Sequence, residues 1–152
     1  MISLIITGWD LPTELHFQLE KLLTGVTSYK GVISASVSSS GELARLNRDY
    51  AGIDNVTDVL SFSYVERTAP EETTLDTALA DIVISKEHIV QQAKAANTDE
   101  DTEFVLLLVH GALHAVGFDH QDHDGRQEMD ECQRTILEGL GLVYRDFGWL
   151  DG

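Results

Sequence analysis

The segment from Thr98 to Gly117 constrains the fold more than any other part of the chain. Thr98 is followed by Asp99, Glu100 and Asp101, and acids at a helix start interact favourably with the helix dipole. Beyond them Phe104–Val109 is an unbroken apolar run, and the helix it predicts, ending near Val116, is apolar nearly all round. Such a helix belongs at the centre of a domain, with other elements packed around it. The run is six residues long, far short of the roughly 18 that span a membrane. Gly117 follows and can take the left-handed conformation that ends a helix.

The rest of the chain supplies the packing partners. Ile2–Thr7, Val32–Ser38, Val59–Tyr64 and Asp81–Ser85 read as short strands, the second alternating Ile33, Ala35 and Val37 with polar or exposed neighbours. Pro12–Thr24 carries leucines at helical spacing, Glu42–Tyr50 reads as a helix, Ser85 can cap another through Ala96, and a last one covers Gly125–Leu140. Glu66–Thr77 reads as an exposed loop. No repeat, low-complexity tract or proline-rich linker divides the 152 residues. The expectation is one α+β domain over residues 1–152. A small mixed sheet of about four strands packs with about five helices, and a metal site lies at the end of the central buried helix.

That metal site is read from HGALHAVGFDH, in which His110, His114 and His120 follow the pattern H-x3-H-x5-H. Residues i and i+4 lie one above the other on a helix, so His110 and His114 present two imidazoles on one face. A turn at Gly117 can bring His120 back to a third corner. Three imidazoles with an open fourth position is the arrangement of a catalytic zinc, although copper and nickel bind such sites as well. His123 is a weaker ligand candidate in the mobile-looking run Gln121–Gly125, and His16 and His88 stand alone as surface or packing residues. Metzincin proteases share the spacing, but the glutamate that serves them as general base is absent, and Gly111 occupies its position. Peptide hydrolysis is therefore disfavoured.

Composition bounds the partners. The 10 basic and 26 acidic residues give a formal charge of −16, the opposite of the broad basic face expected of a nucleic-acid binder. The acids are unevenly spread, with net −3 over residues 1–65 (seven acids, four bases) and −13 over residues 66–152 (nineteen acids, six bases). A nucleic-acid contact is thus easier to place on the first half, near Arg45 and Arg48, and a bound cation would add positive charge at the site. The single cysteine, Cys132, allows no intramolecular disulfide. The N-terminus has no signal-peptide pattern, so a cytoplasmic protein is expected.

These residues resemble the YbeY-type bacterial endoribonucleases, whose signature HGxLHxxGxDH is matched by HGALHAVGFDH. The resemblance continues through Leu46-Asn47 and Tyr50, Thr57-Asp58-Val59-Leu60-Ser61-Phe62, Asp81-Ile82-Val83-Ile84-Ser85, Met129 and Ile136-Leu137. It implies a zinc ion, one per chain, held by His110, His114 and His120, and metal-dependent cleavage of single-stranded RNA. The implied role is maturation of the 3′ end of small-subunit rRNA and ribosome quality control, with the small subunit or its associated factors as partners. Two positions depart from the family pattern: Ala51 stands where an arginine is usual, and Val56 where a proline is usual. Arg48, one helical turn before Ala51, is the candidate replacement for the missing cation at an RNA phosphate, with Arg45 as a second RNA contact.

The remaining expectations are smaller. Asp58 and Asp81 are read at strand starts, as turn caps that can also approach the site. Asp119 can hydrogen-bond a ligand imidazole or cap the loop. Glu128, Asp130 and Glu131 are read as the solvated face of the last helix. The catalytic group is then the metal-activated water, or alternatively the ribose 2′-OH with the metal stabilising charge. The alternative functions are a zinc metallohydrolase of another substrate class and a zinc-binding ribosome-associated factor that does not cut.

Overall fold

The computed structural model describes residues 1–51, 58–118 and 123–143, with only the backbone of Ala51 and His123. The chain runs β1 (Ile2–Thr7), α1 (Thr13–Val26), β2 (Gly31–Ser38), α2 (Ser40–Ala51), β3 (Val59–Ser63), β4 (Ala78–Ser85), α3 (Lys86–Ala96), α4 (Glu100–Ala115) and α5 (His123–Gly139). One short 3-10 turn, Pro70–Glu72, interrupts the long connection between β3 and β4. The α+β class and the mixed sheet are as expected. Among the described residues, no helix is long and apolar enough to cross a membrane.

The four strands lie in the order β1-β2-β4-β3. β1, β2 and β4 are mutually parallel, and β3 runs antiparallel along β4 at the edge. Parallel neighbours need a crossover, which α1 supplies between β1 and β2. Alternation then divides each strand between two faces. On β3 and β4, Val59 pairs with Ile84, Ser61 with Ile82 and Ser63 with Ala80 on one face, while Leu60 pairs with Val83 and Phe62 with Asp81 on the other.

α4 packs under the first of those faces and also meets α3 and α5. Residues 102 to 113 of this helix are all buried, so its apolar character all round reflects neighbours on every side. Asp99 rather than Thr98 is its N-cap and accepts from the Thr102 amide at 2.7 Å. Thr98 instead donates its hydroxyl to the buried Glu103 carboxylate. Both satisfy polar groups at a helix end that passes from exposed Asp99 and Glu100 to buried Thr102 and Glu103. The Trp9 ring stacks on Phe104 at 5.3 Å, and its indole N–H donates to Asp101, which ties the loop after β1 to the same helix.

Two boundaries and one loop differ from expectation in ways that bear on the candidate residues. β4 begins at Ala78, three residues before Asp81, because parallel pairing with β2 starts at Val32 opposite Ala78. Asp81 is thus inside a strand, where it faces Phe62, and caps no turn. α5 begins at His123 rather than Gly125, with Asp124 in its first turn where a carboxylate favours the dipole. His123 therefore opens a helix and is not part of a loop. The connection over residues 66 to 77 is mostly irregular but buries Thr73, whose hydroxyl accepts from the Lys30 amide.

Candidate metal centre

The last two turns of α4 carry the histidine pair. His110 and His114 lie edge to face, with ring centroids 4.7 Å apart and planes at 79°. His110 is 4% exposed, and His114 is half-buried. The His110 Nδ1 is 2.7 Å from Gln133 Oε1 of α5. A carbonyl oxygen can only accept, so Nδ1 carries the proton and Nε2 carries the lone pair. Fixing one ring nitrogen through an outer acceptor is how proteins aim a histidine at a metal. The donor chemistry therefore fits a divalent transition metal: two imidazoles on one helix face, one of them with its tautomer set.

Gln133 was not expected. It is 2% exposed on a helix whose apolar stripe includes Met129, Ile136 and Leu137. Its position, four residues after Met129 and three before Ile136, places a polar side chain on that stripe, and this is the signal in the sequence that marks it. His120 and Asp119 lie outside the described residues. Among the described residues, no third His, Cys, Asp or Glu joins the pair as a possible metal ligand.

The end of α4 is held from two directions. The Gly117 amide donates to the His114 carbonyl at 3.1 Å and the Phe118 amide to that of Leu113 at 3.0 Å, with Gly117 at φ +104°. This paired closure satisfies carbonyls the helix cannot satisfy itself, and it needs a residue without Cβ at the turn. From β3, the Ser61 hydroxyl donates to the Gly111 carbonyl at 2.9 Å and the Ser63 hydroxyl to that of Ala115 at 2.8 Å. The two contacts bracket His114.

Gly111 has a clear physical role. A Cβ placed there would lie 3.0 Å from Ile82 Cγ2 and 3.3 Å from Val59 Cγ2. Position 111 therefore faces the sheet at close approach. A glutamate there would be driven into apolar side chains, so the general base of the zinc proteases has no room in this packing.

The other singled-out residues are dispersed. Arg45 donates to Glu42 and Asp49 on the exposed face of α2, and this pairing holds the Glu42 carboxyl below its ordinary range. Arg48 Nε is 3.9 Å from Asp49 Oδ1. α2 persists to Ala51, so positions 48 and 51 are one turn apart on the helix. Asp58 pairs with His88 at 2.8 Å and fastens the start of β3 to α3, a contact between side chains expected to act separately. Tyr64 donates its hydroxyl to Asp81 at 2.6 Å; the carboxylate that accepts it, with partial burial, pushes the phenol above its ordinary range. His16 Nε2 meets the Leu4 carbonyl at 3.1 Å and Glu20 at 3.4 Å, a local packing role. Glu128 and Glu131 are solvated, and Asp130 pairs with Arg134 at 3.6 Å. The two glutamates raise the Cys132 thiol above its ordinary range, after the larger effect of partial burial.

Comparison with known proteins bears on the fold and the family. The solution structure of TM1509 from Thermotoga maritima is similar with a TM-score of 0.60 at 24% identity, over 90% of this chain and 88% of that one, which shows a shared fold. An endoribonuclease YbeY from Alkaliphilus metalliredigens is 35% identical over 151 residues, covering 93% of this chain and 97% of the relative. One from Limosilactobacillus fermentum is 42% identical over 107 residues, covering 66% of this chain and 68% of the relative. The family model described as Endoribonuclease YbeY matches residues 13–141, from the first residue of α1 to just past the end of α5. The chain belongs to the YbeY endoribonuclease family.

Proposed function

We propose that the protein is a zinc-dependent, single-strand-specific endoribonuclease of the cytoplasm. In this reading it matures the 3′ end of small-subunit rRNA and serves ribosome quality control together with the small subunit or its associated factors. His110, His114 and His120 hold one zinc ion. The observation that carries this reading is the contact of Gln133 with His110 Nδ1, which sets the orientation of a buried imidazole packed edge to face against His114. When bound, zinc supplies Lewis acidity to a phosphodiester and lowers the pKa of a coordinated water toward neutrality.

The protein's own residues do the positioning. Gln133 holds the tautomer and plane of His110, and Ser61 and Ser63 hold the helix turn that carries His114. Gly117 closes the helix just after His114. Arg48 takes the phosphate contact that the family assigns to the position of Ala51, and Arg45, already engaged by two carboxylates, is the weaker contact. The sheet wall over Gly111 disfavours the metallohydrolase alternative, because a protease-type general base has no room there.

The test is incubation of metal-loaded protein with single-stranded RNA beside the His114→Ala variant, with metal content measured on both. Cleavage by the parent and none by the variant is expected, and cleavage that persists in the variant overturns the assignment. Products ending in 2′,3′-cyclic phosphate would identify attack by the ribose hydroxyl. Replacing Gln133 by Leu should weaken metal affinity about 10- to 100-fold in a chelator competition.

A further inference from the structure

The face of the sheet turned away from α4 carries a concavity of about 410 Å³, lined by Leu46 and Tyr50 of α2, Phe62 of β3, Tyr64 just after it, and Asp81 and Val83 of β4. Its aromatic content is unusual for a surface. Tyr50 is 74% exposed and Tyr64 is 56% exposed, and the Tyr50 and Phe62 rings meet edge to face at 5.9 Å. Clustered exposed aromatic surface marks a binding site more often than isolated apolar residues do. Among the described lining residues, one is charged. Asp81 accepts from the Tyr64 hydroxyl through Oδ2, and Oδ1 has no hydrogen bond to a described residue.

The chemistry selects an occupant. A carboxylate repels a phosphate, so the groove does not follow a nucleic-acid backbone. Flat aromatic faces stack on nucleobases, and unstacked bases are read along their hydrogen-bonding edges. A carboxylate accepts but cannot donate, so it favours an edge that offers adjacent N–H donors. Guanine offers such a pair at N1 and N2, whereas uracil offers one N–H between two carbonyls.

The groove is also placed to serve the histidine site. Along β3, Ser61 and Ser63 face α4 at Gly111 and Ala115, while Phe62 faces the groove at the same level, with Tyr64 next in the chain. β3 is an edge strand. A single strand that leaves a base in the groove can pass over that edge and bring a neighbouring phosphodiester to the other face.

We infer that this groove is a base-binding subsite that holds an unpaired guanine of the RNA substrate, stacked against Tyr50 and Tyr64 with Asp81 accepting from N1–H and N2–H. The inference rests on the proposed action on single-stranded RNA, and it adds a subsite away from the histidines.

The test is fluorescence anisotropy of metal-free full-length protein with a short labelled oligouridine and with the same strand carrying one guanosine. The parent should bind the guanosine strand about tenfold more tightly, and Tyr50→Ala should weaken that binding about tenfold. Asp81→Asn should bring the ratio between the two strands close to one. Circular dichroism of each variant checks its fold. Equal binding of both strands by the parent, or unchanged binding by Tyr50→Ala, overturns the subsite. Cleavage that depends on His114 but shows no base preference also overturns the subsite, and leaves the nuclease reading standing. Guanosine-selective binding that depends on Tyr50 and Asp81 supports it, even where cleavage survives in His114→Ala and the metal assignment fails.

Discussion

The two faces of the sheet differ in almost every physical respect. Under one face the middle of α4 is enclosed on all sides, a Cβ at Gly111 would lie 3.0 Å from Ile82, and the serine hydroxyls of β3 seat the helix on the strand. On the other face α2 leaves Tyr50 and Tyr64 uncovered, and its charges pair with one another along its own surface. The first face builds a rigid place for two imidazoles. The second builds a surface that can adapt to a ligand at small cost to the fold. Precision and accessibility are therefore separated by one sheet, and strand β3 at one edge belongs to both.

Stability measurements probe this contrast most strongly. Leu107, in the middle of α4, is 1% exposed, so Leu107→Ala should cost about 2–5 kcal/mol in urea unfolding. Tyr50→Ala on the open face should cost less than about 1 kcal/mol. Comparable losses at the two positions would break the contrast. Gly111→Ala is the next largest effect. Overpacking against Ile82 and Val59 costs about 1–3 kcal/mol, and the better helix propensity of alanine returns at most about 1 kcal/mol. A net loss is expected, and a gain would show that the sheet yields where the helix meets it.

The smaller effects concern charge on the open side. Arg45 is held by Glu42 and Asp49, so Arg45→Ala should change RNA affinity less than about twofold, while Arg48→Ala should weaken it severalfold at low salt and less as salt rises. An equal effect of both substitutions would remove the distinction. The smallest is the Tyr64 phenol, which Asp81 holds above its ordinary range. Asp81→Asn should bring its titration down, followed by phenolate absorbance. The fold favours the neutral phenol, so this stabilising contribution is present below the ordinary phenol range and is lost as pH rises through the folded value.

Much of the buried side was legible in the sequence because it depends on local pattern. The apolar run after Asp99, the i, i+4 histidines and the glycine that ends α4 are all set within about one helix, and each is found where periodicity and turn chemistry place it. The contacts that complete the site are not local. Gln133 reaches His110 across 23 positions of sequence, and only its place on an apolar stripe hints at the pairing. Asp58 meets His88 on a different element. Asp81 was misplaced at a strand start because Ala78, Leu79 and Ala80 carry weak β propensity. Their strand state comes from pairing with β2, more than forty residues earlier.

The hydroxyls of Ser61 and Ser63 have a consequence for motion. The last turn of a helix ordinarily frays, and its amide protons exchange with solvent through small local openings. Here opening that turn also breaks two bonds to a strand of the sheet, so amides near His114 should exchange with deuterium about as slowly as those at the middle of α4. A helix end would then share the cooperative unit of the sheet, and an imidazole carried there would keep its place for as long as the domain stays folded.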